Sequence, residues 1–127
     1  MAFILAPQTG LFWYTVSLPV CNERGTPVVH KFDFQFKRIS RSRMTEMQKA
    51  QEALSEGEVD IDALERDTDY VMEIAEGWRY VQDEKGDELP FTRENLVRLL
   101  DHFPNAAGEI LKAFFGATLG GGKKQKN

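Results

Sequence analysis

One cysteine, two histidines and no uninterrupted apolar run of membrane-spanning length are the chain's main shortages, and each removes a class of explanation. A lone Cys21 cannot build a disulfide framework within the chain and fits a reducing cytoplasm. His30 and His102 are far apart in sequence and have no cysteine or histidine neighbour at ligand spacing, so no zinc site is expected. The longest apolar runs stop well short of the roughly 18 residues that a spanning helix needs. No phosphate-binding glycine pattern precedes a helix, and GxSxG is absent. Asp83 to Glu94 places carboxylates at the first and twelfth positions of a calcium loop. The pattern fails inside: Glu88 stands where the loop requires glycine, Lys85 replaces a ligand and Pro90 interrupts the middle. Paired carboxylates occur in so acidic a region that their proximity says little, and no cleft-forming scaffold surrounds them. The expectation is a protein without catalytic, metal-binding or cofactor-binding residues, and not an enzyme.

What is present is ordinary globular material. The 127 residues are 42% hydrophobic and 28% charged, enough to bury roughly two thirds of the unfolded surface without metal or disulfide. A single domain over 1–119 is expected, with 120–127, GGGKKQKN, as a flexible tail that has no apolar residue to pack. The beginning, MAFILAPQTGLFWYTVSLPVC, has no charge before Glu23 and superficially resembles an export signal. It lacks a basic start, Pro7, Gln8 and Gly10 split its apolar run, and Val20 occupies the position before Cys21 that a lipoprotein site reserves for a small residue.

Taken in order, Phe12, Tyr14, Val16 and Leu18 alternate with Trp13, Thr15 and Ser17, the period of a strand. Phe32, Phe34 and Phe36 alternate with Asp33, Gln35 and Lys37 in the same way. Asn22, Gly25 and Pro27 supply turn chemistry between them, which predicts an antiparallel hairpin over 11–37. An isolated hairpin is marginal in water, so the three phenylalanines require a helical layer or another chain to cover them. A mainly α-helical part of about four helices is predicted over 40–119, making the fold class α+β. Ser40 or Ser42 can cap the first helix, which runs to about Leu54 with Met44 and Met47 on one face, and Ser55 to Glu58 breaks it.

An acidic helix follows, with Ile61, Leu64, Val71, Met72, Ala75 and Trp78 on one side of a 3.6-residue period. Gly77 suits its left-handed closing residue, with Trp78 folding back on Met72. Asp83 to Gly86 has the residues of a tight turn. Thr92 reads as an N-cap, with Phe91 and Leu96 spaced as a hydrophobic staple. Leu96, Leu99, Leu100 and Phe103 form the next apolar stripe, and Pro104 ends it. Asn105 is placed to cap a last helix carrying Ile110, Leu111, Phe114 and Phe115.

Charge is uneven. From His30 to Lys49 six basic residues face two acidic ones, a local net of +4, whereas Glu52 to Glu76 holds ten acidic residues against Arg66, a local net of −9. The acidic half would repel phosphates, which argues against nucleic acid as a partner. Two readings stay open for this polarity: attraction of a partner, and solvated helix faces.

GWRYVQDEKGDELPFTRENLVRLLDHFP, preceded by the acidic helix and by FDFQFKRISRSRMTEMQKA, resembles the tail assembly chaperones of long-tailed bacteriophages. The likeness runs from about Phe32 to the C-terminus and is densest between Tyr70 and Pro104. Its matching positions are Gly77, Trp78, Val81, Asp83, Gly86, Pro90 and Phe91, joined here by Thr92 and Leu96 as the structural signature. The resemblance implies a small non-catalytic protein of the infected host cell cytoplasm, absent from the mature virion. It would keep the tape measure protein soluble until tail tube protein polymerises around it. It also implies that Gly121, Gly122 and Lys123 are candidates for a frameshift region, from which a longer product would be made.

Covering apolar stripes on a client requires apolar surface. Phe32, Phe34, Phe36, Met44 and Met47 are the candidate partner-binding residues, with core packing as the competing reading and the one favoured for most of them. A homo-oligomer is a further possibility. The rival classes are a structural tail or connector subunit, which would be found in purified particles, and a small DNA-binding regulator using Lys37 to Arg43.

Overall fold

The computed structural model describes residues 2–3, 10–54 and 62–120, with the backbone alone for 51–54. Strands β1 (Phe12–Cys21) and β2 (Pro27–Phe36) form the expected antiparallel hairpin, in register from Phe12 opposite Phe36 to Cys21 opposite Pro27. The Asn22 side chain builds the connection: its Oδ1 accepts from the backbone N–H of Arg24 and of Thr26, at 2.9 and 3.0 Å. Gly25 supplies the positive φ, 77°, that closes the loop. Because alternate residues face opposite ways, Val16, Leu18, Phe32, Phe34 and Phe36 are all buried on one side of the hairpin.

Helix α1 (Arg41–Leu54) starts as expected, with the Ser40 hydroxyl accepting from the N–H of Arg43 at 3.1 Å. The break placed at Ser55 to Glu58 and the contribution of Ile61 lie outside the described residues. Helix α2 (Ala63–Ile74) follows, and here the sequence reading needs correction. Gly77 does not close the helix. Ala75 is already extended, with φ −130° and ψ 145°, and the chain passes directly into β3 (Ala75–Arg79). This third strand pairs antiparallel with β2, placing Trp78 opposite Phe34 and Gly77 opposite Gln35, so the sheet order is β1-β2-β3. A register shift between Gln35 and Phe36 marks a bulge at Glu76. Ladder bonds to β2 and burial of the indole replace the helix cap.

Helices α3 (Arg93–His102) and α4 (Ala106–Leu119) complete an α+β architecture: an N-terminal antiparallel hairpin, four helices and one short added strand. Thr92 is the N-cap, its hydroxyl accepting from the N–H of Asn95 at 3.1 Å. Asn105 also sits at an N-cap position but makes no side-chain cap bond; its Nδ2 donates instead to the Pro19 carbonyl at 2.9 Å. That bond ties the end of β1 to the start of α4.

The helices lie on one face of the sheet. Met44 and Met47 from α1, Val71 and Ile74 from α2, Leu96 and Leu100 from α3 and Ile110, Leu111 and Phe114 from α4 join the sheet's inward residues in one contiguous apolar core. The opposite face, with Trp13, Thr15, Ser17 and Lys31 exposed, has no covering layer among the described residues.

Candidate functional site

The segment that carries the signature is organised by one indole. Trp78 is 8% exposed and meets Phe34 and Phe91 edge-on, with ring centroids 5.8 and 5.2 Å away. Its Nε1 donates to the Leu89 carbonyl at 2.7 Å, which pins the returning limb of the loop. The loop is itself a small hairpin. Gln82 bridges Glu88, and the Leu89 N–H donates to the Val81 carbonyl at 2.9 Å. The Asp83 carboxylate accepts from the N–H groups of Lys85 and Asp87, and Gly86 takes a φ of 88° at the turn. Trp78, Val81, Asp83, Gly86 and Phe91 thus build or brace this loop, whereas Gly77 lies in β3 opposite Gln35, Thr92 caps α3 and Leu96 is buried in the core; Pro90 supplies a carbonyl to the Asn95 side chain at 2.9 Å.

Beside that scaffold lies an apolar groove. One depression of about 450 Å³ is lined by Trp78, Val81, Leu89, Leu99 and Phe103, with Arg98 and His102 at its border. A second, of about 360 Å³, lies between the far half of the β1–β2 hairpin and the end of α3, and shares Val81, Gln82, Leu99 and Phe103 with the first. Tyr80 stands at its rim, 63% exposed and with a φ of 70° that side chains rarely adopt. Neither Tyr80 nor this groove is legible in the sequence. A positive φ on a tyrosine leaves no signal in the sequence, and the groove is formed by residues distant in the chain.

The open sheet face carries a polar network. The Asp33 carboxylate accepts from the Thr15 hydroxyl at 2.8 Å and from Arg79 Nε at 2.9 Å, and the Arg79 guanidinium lies 4.1 Å from the Trp13 ring centroid. The partners satisfy one another, and the depression around them, about 590 Å³, is shallow and polar.

The five candidate partner-binding residues are placed otherwise. Phe32, Phe34, Phe36, Met44 and Met47 are all buried, and Phe36 packs its ring 5.3 Å from that of Phe114. The helical layer that the hairpin requires is supplied by the same chain, so in this fold they serve as core, and Phe32, 7% exposed, also lines the second depression. Gly121, Gly122 and Lys123 lie outside the described residues. Among the described residues no group of three or more His, Cys, Asp or Glu side chains is arranged to hold a metal ion, and no helix is long and apolar enough to cross a membrane.

The described residues thus combine a polar sheet face whose partners satisfy one another with an apolar groove framed by a braced loop. The sequence profile of the phage tail assembly chaperone family matches residues 1–127, and the chain belongs to that family. No curated protein and no solved structure matches it significantly.

Proposed function

We propose that this protein binds the tape measure protein of a long-tailed phage and keeps it soluble while tail tube protein polymerises, without catalysing a reaction. The observation that carries this reading is the family match over the whole chain, and the apolar groove at Val81, Leu99 and Phe103 is consistent with it. A long client with unpaired apolar stripes self-associates, and transient cover on another chain suppresses that association. Release is part of the task, so the cover must be modest in area; a groove satisfies this better than an extensive flat apolar face. The protein acts in the host cell cytoplasm and leaves before the virion is complete. Its partners are the tape measure and tail tube proteins, with self-association a separate possibility. A longer frameshifted product would be encoded through Gly121, Gly122 and Lys123.

Co-expression tests the central claim. The soluble fraction of the tape measure protein should rise several-fold when this chain is present, and the two should co-purify. Equal client solubility with and without it would end the proposal. Recovery of the chain in stoichiometric amounts from purified particles would instead make it a structural subunit, and intact-mass measurement of infected cells decides whether a longer product exists.

A further inference from the structure

The sheet contains an unfilled position. Strand β3 pairs with β2 only from Phe36 to Asp33, whereas β2 continues back to Pro27. The reason lies at Tyr80: directly after Arg79 its φ of 70° turns the chain away, and its N–H, 3.4 Å from Glu88 Oε1, is directed to the loop. Between Pro27 and Phe32 the edge of β2 therefore has no neighbouring strand among the described residues. The stretch is six residues, roughly 20 Å of extended backbone.

The alternation of the backbone identifies which groups are free. Lys37 sends its N–H to the Ile74 carbonyl, on the β3 side. The bulge is in β3, so β2 keeps its period of two, and Lys31 and Val29 direct N–H and C=O to that same side. A second observation agrees. Val29 is opposite Pro19, whose carbonyl points away from β2 to Asn105 and which has no N–H to give. The outer edge of β1 is thus blunted by a proline and covered by a side chain, in the manner of strands protected from pairing. On β2 the outward-facing Pro27 likewise has no N–H, so the donors left open on this edge are those of Val29 and Lys31.

Side-chain space lies directly below this edge. The 360 Å³ depression is lined by Phe32, Val81, Leu99 and Phe103, with His30 and Tyr80 at its limits. Val28, on the same face of β2 as Phe32, extends the apolar surface at 40% exposure. The adjoining 450 Å³ depression, which shares Val81, Gln82, Leu99 and Phe103 with the smaller one, is lined by Asp83, Glu84 and Arg98. The turn there also carries Asp87 and Glu88 against Lys85, a net negative charge that complements a basic residue on an incoming chain.

We infer that the β2 edge at Val29 and Lys31 accepts an extended segment of a partner polypeptide as an additional strand in line with β3, with alternate apolar side chains in the groove and a basic residue beside the Asp83–Glu88 turn. Backbone hydrogen bonds supply register-tolerant affinity, and the groove selects alternating apolar residues. The identity of the partner as the tape measure protein rests on the proposed function; the strand-accepting edge does not.

The test uses the full chain and two synthetic peptides of alternating valine and threonine, one flanked by lysines and one by glutamates. The lysine-flanked peptide should slow amide exchange at Val29 and Lys31 and bind more tightly than the other, the difference shrinking as salt is raised. Lys31→Pro removes an outward N–H while sparing the β1–β2 ladder, and should weaken peptide binding by about tenfold or more. Ser17→Pro makes the matched change on the protected edge and should leave binding unchanged. Should Lys31→Pro fail to fold, Phe103→Glu, which places charge in the groove, should give the same loss. Unaltered exchange at Val29 and Lys31 with bound peptide, binding that survives both Lys31→Pro and Phe103→Glu, or the same amides protected by self-association alone would overturn the inference. Loss of peptide binding with retained solubilisation of the tape measure protein would confine the failure to the shared identity of the two sites. Failure of solubilisation by the unmodified chain would reject the chaperone reading while leaving the edge to the peptide result.

Discussion

Glu73 accepts from Nε and from an Nη of Arg43, at 2.8 and 2.9 Å, in the two-pronged geometry that suits a carboxylate. The bonds from Arg43 hold the Glu73 carboxyl below its ordinary value of 4.5, with attraction by Lys37 adding to them against partial burial. The same pairing raises the Arg43 guanidinium, which stays charged throughout. A carboxyl whose folded value is depressed contributes stability above its unfolded value and loses that contribution as pH falls through the folded one. Stability should therefore drop on acidification from about pH 4.5 downward, and Glu73→Gln should flatten that part of the profile in thermal melts. Both side chains are over a third exposed, so the effect is limited to about 1 kcal/mol by solvent screening. Trp78 is the other residue with a specific load. Trp78→Phe keeps a ring against Phe34 and Phe91 but leaves the Leu89 carbonyl without its donor; a loss of about 1–3 kcal/mol is expected in chemical denaturation.

At the level of elements, the hairpin, the Ser40 and Thr92 caps and the Asp83–Gly86 turn could all be read in the sequence, because each depends on contacts within a few residues. Strand β3 could not. A regular strand places inward residues two apart, but the bulge at Glu76 puts the buried Ala75 and Trp78 three apart, which is helical spacing. Gly77 reinforced the error, since glycine after an apolar run is also a cap signal. The groove was illegible for a different reason: Phe32, Val81 and Phe103 come from three parts of the chain, and their proximity follows from β3 pairing with β2. The phenylalanine stripe was legible as apolar but not as interior, because a stripe of that kind is the same whether its cover is a helix or another chain. Phe34→Asp and Met44→Asp should accordingly unfold the protein, at about 4 kcal/mol or more each, as a loss of cooperative melting in circular dichroism.

Across the whole molecule the two oppositely charged halves turn on each other. Lys37 reaches Glu76 on β3 at 3.7 Å and Arg43 holds Glu73 on α2, joining the basic segment to the acidic stretch, while Arg93 on α3 takes Asp69 at 2.6 Å. Part of the polarity that suggested a partner is thus met internally.

The order of the strands has a temporal consequence. A ribosome delivers β1 and β2 together, as neighbours joined through Asn22 to Thr26, but it must add α1 and α2 before β3 emerges. Until then the whole flank of β2 is bare, and closing it requires a loop of some forty residues, an entropic hurdle that slows such pairing. Newly made chains thus pass through an interval in which Phe34 has no indole against it, and crowding of polysomes during that interval is when this protein is most exposed to sticking to its own siblings.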